Sequence, residues 1–454
     1  MNLLQRALHM ESHVARIIGK QSLSGVQFDS RRAKFYVHVL EERTQELYRK
    51  IRPHLSLVVE TKGETVWDWF LKDSGWLNDS VESWFIDILD EVEDLVGGSF
   101  SRVTFKEPDI GKRAQIVEQL IGLGWKPKAY TDVTDAGGGN NPRITVDSEP
   151  CPSLLEIGSD IGAQLAEWYI LKHRQSQIKG LLKLVRPDGR ISAEAHTIGT
   201  PTYRFRHRGV VNIPKASEQV IFGKQMRSLF TVKQGYKLVG HDASGLELRI
   251  LAHYIDDEDY TKQVSEGDPH TKTQIDSGLR TRDDAKAFIY KFIFGGGGLL
   301  LGQAIGGGRA EGLQAKRRLL ANNPKLASLI NGVQDASKKG WIKGLDGRRV
   351  RMRRDKYSKG VQVHKALSTV VQSGGAILMK YSMIWLDLAV AKEGLDSTKV
   401  IDMHDEGQSE VSVDDAQRHA YLACESIRKA GVYLGARCPM DAEAKVNTRW
   451  SKTH

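Results

Sequence analysis

Cysteine is scarce in this sequence, with Cys151, Cys424 and Cys438 the three present among 454 residues. Three scattered cysteines exclude a disulfide framework and a cysteine-based zinc cluster, and they favour a reducing compartment. Long apolar runs are also lacking, because the longest uncharged stretch, 292–308, is broken by glycines and is short for a bilayer span. The N-terminus has no basic segment followed by an apolar core, which argues against a secretory signal. These absences predict a cytoplasmic protein with no membrane partner.

Repeats of fixed period, low-complexity tails and the G-x4-G-K-[ST] loop are missing too, and the last absence argues against a P-loop NTPase. The composition, 40% hydrophobic and 27% charged, is ordinary for a folded enzyme. The length suits roughly two to four domains. Lys and Arg total 66 against 56 acids, a net charge of +10. That excess favours a polyanionic partner such as nucleic acid, although many basic proteins bind none.

The first part of the chain has mainly helical patterns. Apolar residues spaced three and four apart predict helices over 1–20 and 30–51. The segment 64–94 stands out because it holds ten acids, one base and four tryptophans. The simpler interpretation is a small helical subdomain with its own tryptophan core, and the alternative is a docking surface for a protein partner.

Beyond residue 201 the pattern changes. Short β-branched segments over 210–213, 237–240 and 399–403 alternate with helical ones, which predicts a sheet with packed helices. A further segment, 343–359, contains eight bases and two acids. A basic run is commonly a solvated surface, but this density favours contact with a phosphate backbone.

The first candidate catalytic segment is YKLVGHDASGLELRILAHY, residues 236–254. Its apolar run ends at Asp242, the small residues 243–245 turn the chain, and a helix is predicted to begin near Leu246. A carboxylate at a strand end beside a tight turn can reach a metal ion. Taken alone, however, the segment favours an Asp that caps the helix.

The second segment is VIDMHDEGQSEVSV, residues 400–413. Two β-rich stretches flank His404, Asp405 and Glu406, so these residues are predicted at the tip of a hairpin. Adjacent carboxylates repel one another, and a divalent cation compensates that repulsion well. An exposed polar turn explains this segment equally well when it is considered by itself.

The third segment is TRDDAKAFIYKFIFGGG, residues 281–297, in which Thr281 is predicted to cap a helix. Arg282, Lys286 and Tyr290 recur every four residues and therefore share one helical face. Two cations and an aromatic ring on one face suit a triphosphate and its attached sugar and base. The alternative is a solvated basic face with Tyr290 packed into the core.

In this order, D-A-S-G-L-E-L-R, R-x3-K-x3-Y and H-D-E resemble motifs A, B and C of the family A DNA polymerases, above all the T7-like bacteriophage branch. The likeness covers nearly the whole chain except 64–94. Further stretches similar to that branch are HRGVVNIP (207–214), GDPHTKTQ (267–274), IKGLDGRRV (342–350), VVQSGGA (370–376) and RWSKTH (449–454).

The resemblance implies an α/β (α+β) fold of the right-hand polymerase type, with thumb, palm and helical fingers. The palm would contain an antiparallel sheet with helices. By motif position, the thumb and N-terminal helical region would be 1–190 with 64–94 as an insertion, the palm 191–265 and 365–454, and the fingers 266–364.

The implied activity is DNA-directed DNA synthesis, in which dNTPs are added to a primer 3′-OH during phage genome replication. Asp242 and Asp405, with the backbone carbonyl of Ala243, would hold two Mg²⁺ ions for phosphoryl transfer. Glu406 matches the second carboxylate of motif C and would have a supporting role. The cellular compartment would be the cytoplasm of the host.

The resemblance also assigns substrate contacts. Lys286 would bind the triphosphate and protonate the pyrophosphate, Tyr290 would stack near the sugar and base, and Glu247 would block a ribose 2′-OH. The remaining dNTP-binding residues would be His270 and Arg282. Contacts with primer–template DNA would come from Arg204, Gln372, His404, Arg348 and Arg349.

Three departures from the family pattern affect these expectations. Thr202-Tyr203-Arg204 stands where the family has T-G-R, so the local turn is expected to differ. Ser368 replaces a common Asn, which weakens one expected minor-groove contact. The glycine run 295–298 is longer than usual, which would make the end of the fingers helix more mobile.

Relatives usually carry a proofreading exonuclease domain before the polymerase domain, and this sequence is expected to contain none. The Asp-x-Glu at 147–149 falls within the region similar to the thumb. A separate exonuclease subunit, or a processivity factor bound at the thumb, would then be a partner. Two alternatives remain, a single-subunit RNA polymerase and a decayed polymerase that only binds nucleic acid. Glu247 argues against the first, and the intact Asp242 and Asp405 argue against the second.

Overall fold

The computed structural model describes residues 3–61, 103–131, 141–146, 149–157 and 160–453, together with the single positions 79 and 83. The two interpretations of the tryptophan-rich segment 64–94 therefore fall almost entirely outside the described residues. So does most of the Asp-x-Glu at 147–149.

The described chain alternates helices and short strands. The helices are α1 Leu3–Ser24, α2 Ser30–Ile51, α3 Arg113–Gly122, α4 Ile161–Lys183, α5 Gly223–Ser228, α6 Leu246–Ile255, α7 Glu258–Ser265, α8 Pro269–Ser277, α9 Arg282–Ile293, α10 Gly298–Ala304, α11 Arg309–Asn322, α12 Pro324–Ser337, α13 Ala366–Glu393 and α14 Ala416–Tyr433. The strands are β1 Val26–Phe28, β2 Val58–Thr61, β3 Val103–Lys106, β4 Thr145–Val146, β5 Glu149–Pro150, β6 Arg190–Ile191, β7 Glu194–His196, β8 Arg206–Arg208, β9 Phe230–Thr231, β10 Tyr236–Ala243, β11 Trp341–Lys343, β12 Arg349–Arg351, β13 Ser397–Met403, β14 Glu406–Ser412 and β15 Ala442–Asn447.

The periodicity of the sequence predicted several of these elements correctly. Helix α2 spans the predicted 30–51, and the predicted strand segments 237–240 and 399–403 lie within β10 and β13. The prediction of a strand over 210–213 is wrong. The strand in that region is β8, and Val210 and Ile213 are buried without ladder pairing, so their apolar character reflects packing alone.

The chain divides into two compact units. One comprises residues 40–173 and lies within the range predicted as the thumb. The other combines residues 1–39 with 174–454 and contains every candidate site residue. Residues 1–39 and 174–190, predicted as part of the thumb, group with this larger unit.

A four-stranded antiparallel sheet is the centre of the larger unit, in the order β13-β14-β10-β15. The register pairs Asp242 of β10 with Glu406 of β14 on one side and with Glu443 of β15 on the other. Helix α14 covers one face, where Val239 and Val411 pack against its alanines. The sheet therefore brings the ends of two sequence-distant motifs onto neighbouring strands.

Helix α13 packs against α14, and Ile377 and Leu378 on it are fully buried. By length and composition it is also the one helix in the described parts of the chain that is apolar enough to cross a membrane. Half of its most apolar window is buried within the protein, as in the core helix of a globular unit. The same core includes Phe288 and Ile289 of α9, so the apolar face of α9 is held against the sheet-bearing unit.

Candidate active site

Asp242 and Asp405 lie close together in the sheet, one near the end of a strand and the other in the turn of a neighbouring hairpin. Asp242 is the penultimate residue of β10, and Asp405 follows His404 in the two-residue turn between β13 and β14. The backbone amide of Ala243 donates to the carbonyl of Asp405 at 3.1 Å. Both aspartates are half-buried. The structure thus joins two carboxylate positions that are 163 residues apart in the sequence.

Glu406 has a different environment from its neighbour Asp405. It is 4% exposed, and its carboxylate accepts hydrogen bonds from Arg227 at 3.2 and 3.4 Å and from Gln408 at 2.8 Å. The indole N–H of the fully buried Trp450 donates to the same carboxylate. The Arg227 guanidinium also lies 4.4 Å from the centre of the Trp450 ring. Glu406 therefore anchors the start of β14 to the C-terminal segment.

Helix α9 presents the predicted basic face. Thr281 caps it by accepting from the amide of Asp284 at 3.0 Å, as the sequence predicted. Arg282 and Lys286 are exposed, whereas Tyr290 is half-buried. Burial raises the pKa of Tyr290, and the negative charges of Glu247, Asp405 and Asp242 raise it further. Tyr290 is therefore close enough to these three carboxylates for their charges to act on its hydroxyl.

His270 of α8 joins this group. Its ring centre lies 6.0 Å from that of Tyr290. Partial burial lowers the pKa of His270, and the nearby cations Arg282 and Lys286 lower it further. Three residue types suited to phosphate thus converge beside one aromatic ring.

Arg282 already has a partner in this structure. It donates two hydrogen bonds to Asp268, at 2.6 and 3.1 Å. Asp268 also caps α8, and its pKa is held well below the ordinary range, mainly by Arg282. A triphosphate bound by Arg282 would have to compete with this carboxylate or share the guanidinium with it.

Glu247 lies in the first turn of α6 and is paired with Arg204. The guanidinium of Arg204 donates to the carboxylate at 2.9 Å, and both side chains are largely buried. The residue before Arg204 is Tyr203, at the position where the resemblance leads one to expect Gly. Tyr203 has a backbone φ of 61°, a left-handed conformation that costs a non-glycine residue about 1–2 kcal/mol. The chain therefore keeps the conformation that glycine would adopt easily.

The predicted primer–template residues fall into two groups. His404 is exposed at the hairpin tip with φ of 62°, and its ring meets His207 edge to face at 5.2 Å. Although the residue is exposed, neighbouring side chains partly desolvate its imidazole, which lowers the pKa of His404, and the cation of Arg204 lowers it further. Gln372 is half-buried on α13, and Arg349 is exposed on β12.

Arg348 does not belong to this exposed set. It is 8% exposed and donates to Asp346 and, at 2.6 Å, to Glu11 of α1. Lys380 of α13 donates to the same Glu11 at 2.8 and 2.9 Å. Because Arg348 is engaged in this buried ion cluster, the expectation that it contacts DNA directly is not supported by its position. Arg349, which points to solvent, retains that expectation.

The donor set at the two aspartates fits Mg²⁺. Carboxylate oxygens are the ligands this ion prefers, and Mg²⁺ sites commonly combine one or two carboxylates with water and substrate phosphates. In the ranges that the structure describes, no cluster of three or more His, Cys, Asp or Glu side chains forms a closed metal cage. By the chemistry of their side chains, Asp242 and Asp405 are candidate ligands for such an ion.

Sequence reasoning missed three residues of this region: Asp268, Arg227 and Trp450. Asp268 could have been suspected, because an Asp followed by Pro commonly caps a helix. Arg227 and Trp450 carry no local signal, since they meet Glu406 only through the tertiary fold. Tyr203 was recognised as a departure, but its partners could not be inferred from its neighbours in sequence.

The fold and the site together define a nucleic-acid polymerase of the right-hand type. Comparison supports this fold: the POL domain of Pol1 from M. smegmatis, solved in complex with DNA primer-template and dNTP, matches with a TM-score of 0.73 at 19% identity. That match covers 97% of this chain and 70% of the other.

The family model described as DNA polymerase family A matches residues 144–452. The DNA-directed DNA polymerase of Escherichia phage Phieco32 is 30% identical, with 98% of each chain covered. That of Escherichia phage T7 is 30% identical over 81% of this chain, which spans 55% of the T7 protein. The chain belongs to DNA polymerase family A and is a DNA-directed DNA polymerase similar to those of T7-like phages.

Proposed function

We propose that this chain extends a DNA primer on a DNA template by two-metal-ion phosphoryl transfer, as part of phage genome replication in the host cytoplasm. The observation that carries the proposal is the backbone hydrogen bond from Ala243 to Asp405, which brings the end of β10 and the β13–β14 turn together. Its substrates are primer–template DNA and dNTPs.

Asp242 and Asp405, with the carbonyl of Ala243, are the residues that would hold the metal ions. When bound, Mg²⁺ lowers the pKa of the primer 3′-OH and stabilises charge on the transferring phosphoryl group. The protein's own contribution is positioning and electrostatics. The end of β10 and the β13–β14 hairpin are fixed by backbone hydrogen bonds, so the two carboxylates would need little reorganisation when substrate binds.

The residues of α8 and α9 would bind the nucleotide. Lys286 is exposed and free to hold the triphosphate and to give a proton to the departing pyrophosphate. Arg282 would exchange Asp268 for a phosphate oxygen, since both contacts are charge-assisted. His270 would add a further phosphate contact, and Tyr290 would pack against the sugar and base.

Residues outside α8 and α9 would select the sugar and align the primer. Glu247, oriented by Arg204, would stand where a ribose 2′-OH needs space. Arg204, His404 and Gln372 would contact the primer–template near its terminus. Residues 266–364 would form the fingers, 191–265 with 365–454 the palm, and 1–190 the thumb.

Extension of a labelled primer on a DNA template with Mg²⁺ tests this function, run with matched and with mismatched 3′ ends. We expect extension from the matched end with dNTPs, far less with rNTPs, and no shortening of either primer. Failure to extend any primer would refute the polymerase function. Shortening by the pure protein would refute the proposal that this chain carries no exonuclease activity.

A further inference from the structure

Tyr203 holds a strained position one residue before Arg204. Its φ of 61° lies in the left-handed region, which side chains other than glycine rarely adopt. Its backbone amide donates to the carbonyl of Thr200 at 3.0 Å and closes a tight turn. Such strain persists only where surrounding contacts fix the conformation.

Those contacts come from the side chain of Tyr203. Its hydroxyl donates to the carbonyl of Arg349 on β12 at 2.9 Å, across 146 residues of sequence. Its ring lies 4.9 Å from the guanidinium of Arg348 and 5.8 Å from the ammonium of Lys380. A glycine at this position could make none of these contacts.

The two cations beside the ring are themselves fixed. Arg348 and Lys380 both donate to Glu11, and Lys380 also donates to the carbonyl of Thr197 at 2.7 Å. Arg348, Lys380 and Glu11 are each less than 10% exposed. Moving a member of such a buried ion cluster leaves an unpaired charge, so the ring has a rigid support.

The residue that this support positions is Arg204. Its carbonyl accepts from the hydroxyl of Thr200 at 3.1 Å, and Phe205 after it is buried in the core. With Tyr203 fixed on one side and Phe205 on the other, the guanidinium of Arg204 reaches Glu247 at 2.9 Å. Tyr203, Arg204, His404 and Asp405 also line one small cavity.

We propose that Tyr203 is a positioning residue for sugar selection, which links the basic hairpin of β11 and β12 to the Arg204–Glu247 pair. The hydroxyl bond to Arg349 fixes the turn, the turn fixes Arg204, and Arg204 orients the Glu247 carboxylate. The proposal rests on the function proposed above for Glu247. It goes beyond it by adding a residue to which that function assigns no contact with nucleotide or metal.

The test compares single-nucleotide incorporation of a dNTP and the matching rNTP, with kcat and KM measured separately. Tyr203→Phe keeps the ring and loses only the hydroxyl bond, so the dNTP/rNTP efficiency ratio should fall about three- to tenfold. The fall should come from better use of the rNTP, with dNTP incorporation nearly unchanged. Tyr421→Phe, which alters an exposed tyrosine of α14 outside the proposed site, is the matched control and should keep the parental ratio.

Tyr203→Gly relieves the strain and removes the whole support, and it should lower the ratio at least as far as Tyr203→Phe does. In the double variant with Glu247→Ala, the Tyr203→Phe change should lower the ratio no further than Glu247→Ala alone. An unchanged ratio in Tyr203→Phe, even with reduced thermal stability, would overturn the proposal and leave a structural role only. An additive effect in the double variant would overturn the route through Glu247.

The same measurements distinguish a failure of the role proposed for Glu247 from a failure of the inference about Tyr203. If Glu247→Ala alone leaves the dNTP/rNTP ratio at the parental value, the role of Glu247 is wrong, and the inference about Tyr203 falls with it. If Glu247→Ala lowers the ratio and Tyr203→Phe does not, only the inference about Tyr203 is wrong.

Discussion

Replacing Glu406 by Gln should destabilise the protein more than it changes the chemistry of the site. The substitution keeps the shape of the side chain but removes its charge. Arg227, which is 4% exposed, then loses its ionic partner, and the amide of Gln would place a donor against other donors. Breaking a buried ion pair from one side costs about 3–5 kcal/mol. We therefore expect the free energy of unfolding to fall by an amount in this range.

Urea denaturation at neutral pH measures this change, with the slope of the transition as a check that the unfolded state is unaltered. Glu443→Gln is the matched control, because this exposed carboxylate lies on β15 of the same sheet and should change stability by less than about 0.5 kcal/mol. Trp450→Phe removes one donor and should cost about 1–3 kcal/mol. If Glu406→Gln unfolds at the parental urea concentration yet abolishes extension, the anchoring role is wrong and Glu406 acts on the chemistry directly.

Three further outcomes follow from the site. Tyr290→Phe should reduce termination by dideoxynucleotides on the order of tenfold. The Tyr290 hydroxyl would take the place of the 3′-OH that a dideoxynucleotide lacks, and its loss would leave a polar group of the site unpaired. Equal termination by both forms would contradict this. Arg349→Ala should weaken DNA binding and reduce its dependence on salt by about one counterion, and an unchanged salt slope would remove Arg349 from the interface. His419 is buried, which lowers its pKa from 6.5 to about 4. Between these values the unfolded chain binds a proton that the folded chain does not, so stability should fall with decreasing pH by about 1 kcal/mol per unit, and His419→Gln should flatten that slope in urea titrations.

Local chemistry explains why much of the site could be predicted from the sequence. Asp242 ends an apolar strand before a turn, and Thr281 begins a periodic helix, so strand end and helix cap follow from neighbouring residues. The hairpin tip at His404 and Asp405 follows in the same way, since β-rich segments flank it on both sides. These features depend on a few consecutive residues and survive in any fold that contains them.

The remaining features depend on contacts between distant parts of the chain. The sequence placed Glu406 beside the metal aspartates with a supporting role, but its partner Arg227 lies 179 residues away and Trp450 lies 44 residues away. In the sequence, Arg348 is one basic residue among several, whereas in the structure it pairs with Glu11, which lies 337 residues away. No local pattern distinguishes Arg348 from the exposed Arg349 next to it. Only the pairing of α1 with the basic hairpin separates their roles.

The central claim is that Asp242 and Asp405 act together at one catalytic site. Single-nucleotide addition by the parent, Asp242→Asn and Asp405→Asn tests it most directly, with thermal unfolding and primer–template binding measured on the same samples. Asp335→Asn, which alters an exposed carboxylate of α12 that pairs with Lys338 just beyond the helix, serves as the control. We expect each site variant to stay folded and bound to DNA while its rate of addition falls by at least about a thousandfold, because transition-state charge stabilisation worth about 4 kcal/mol is lost. Addition by Asp405→Asn at the parental rate, with DNA still bound, would contradict it.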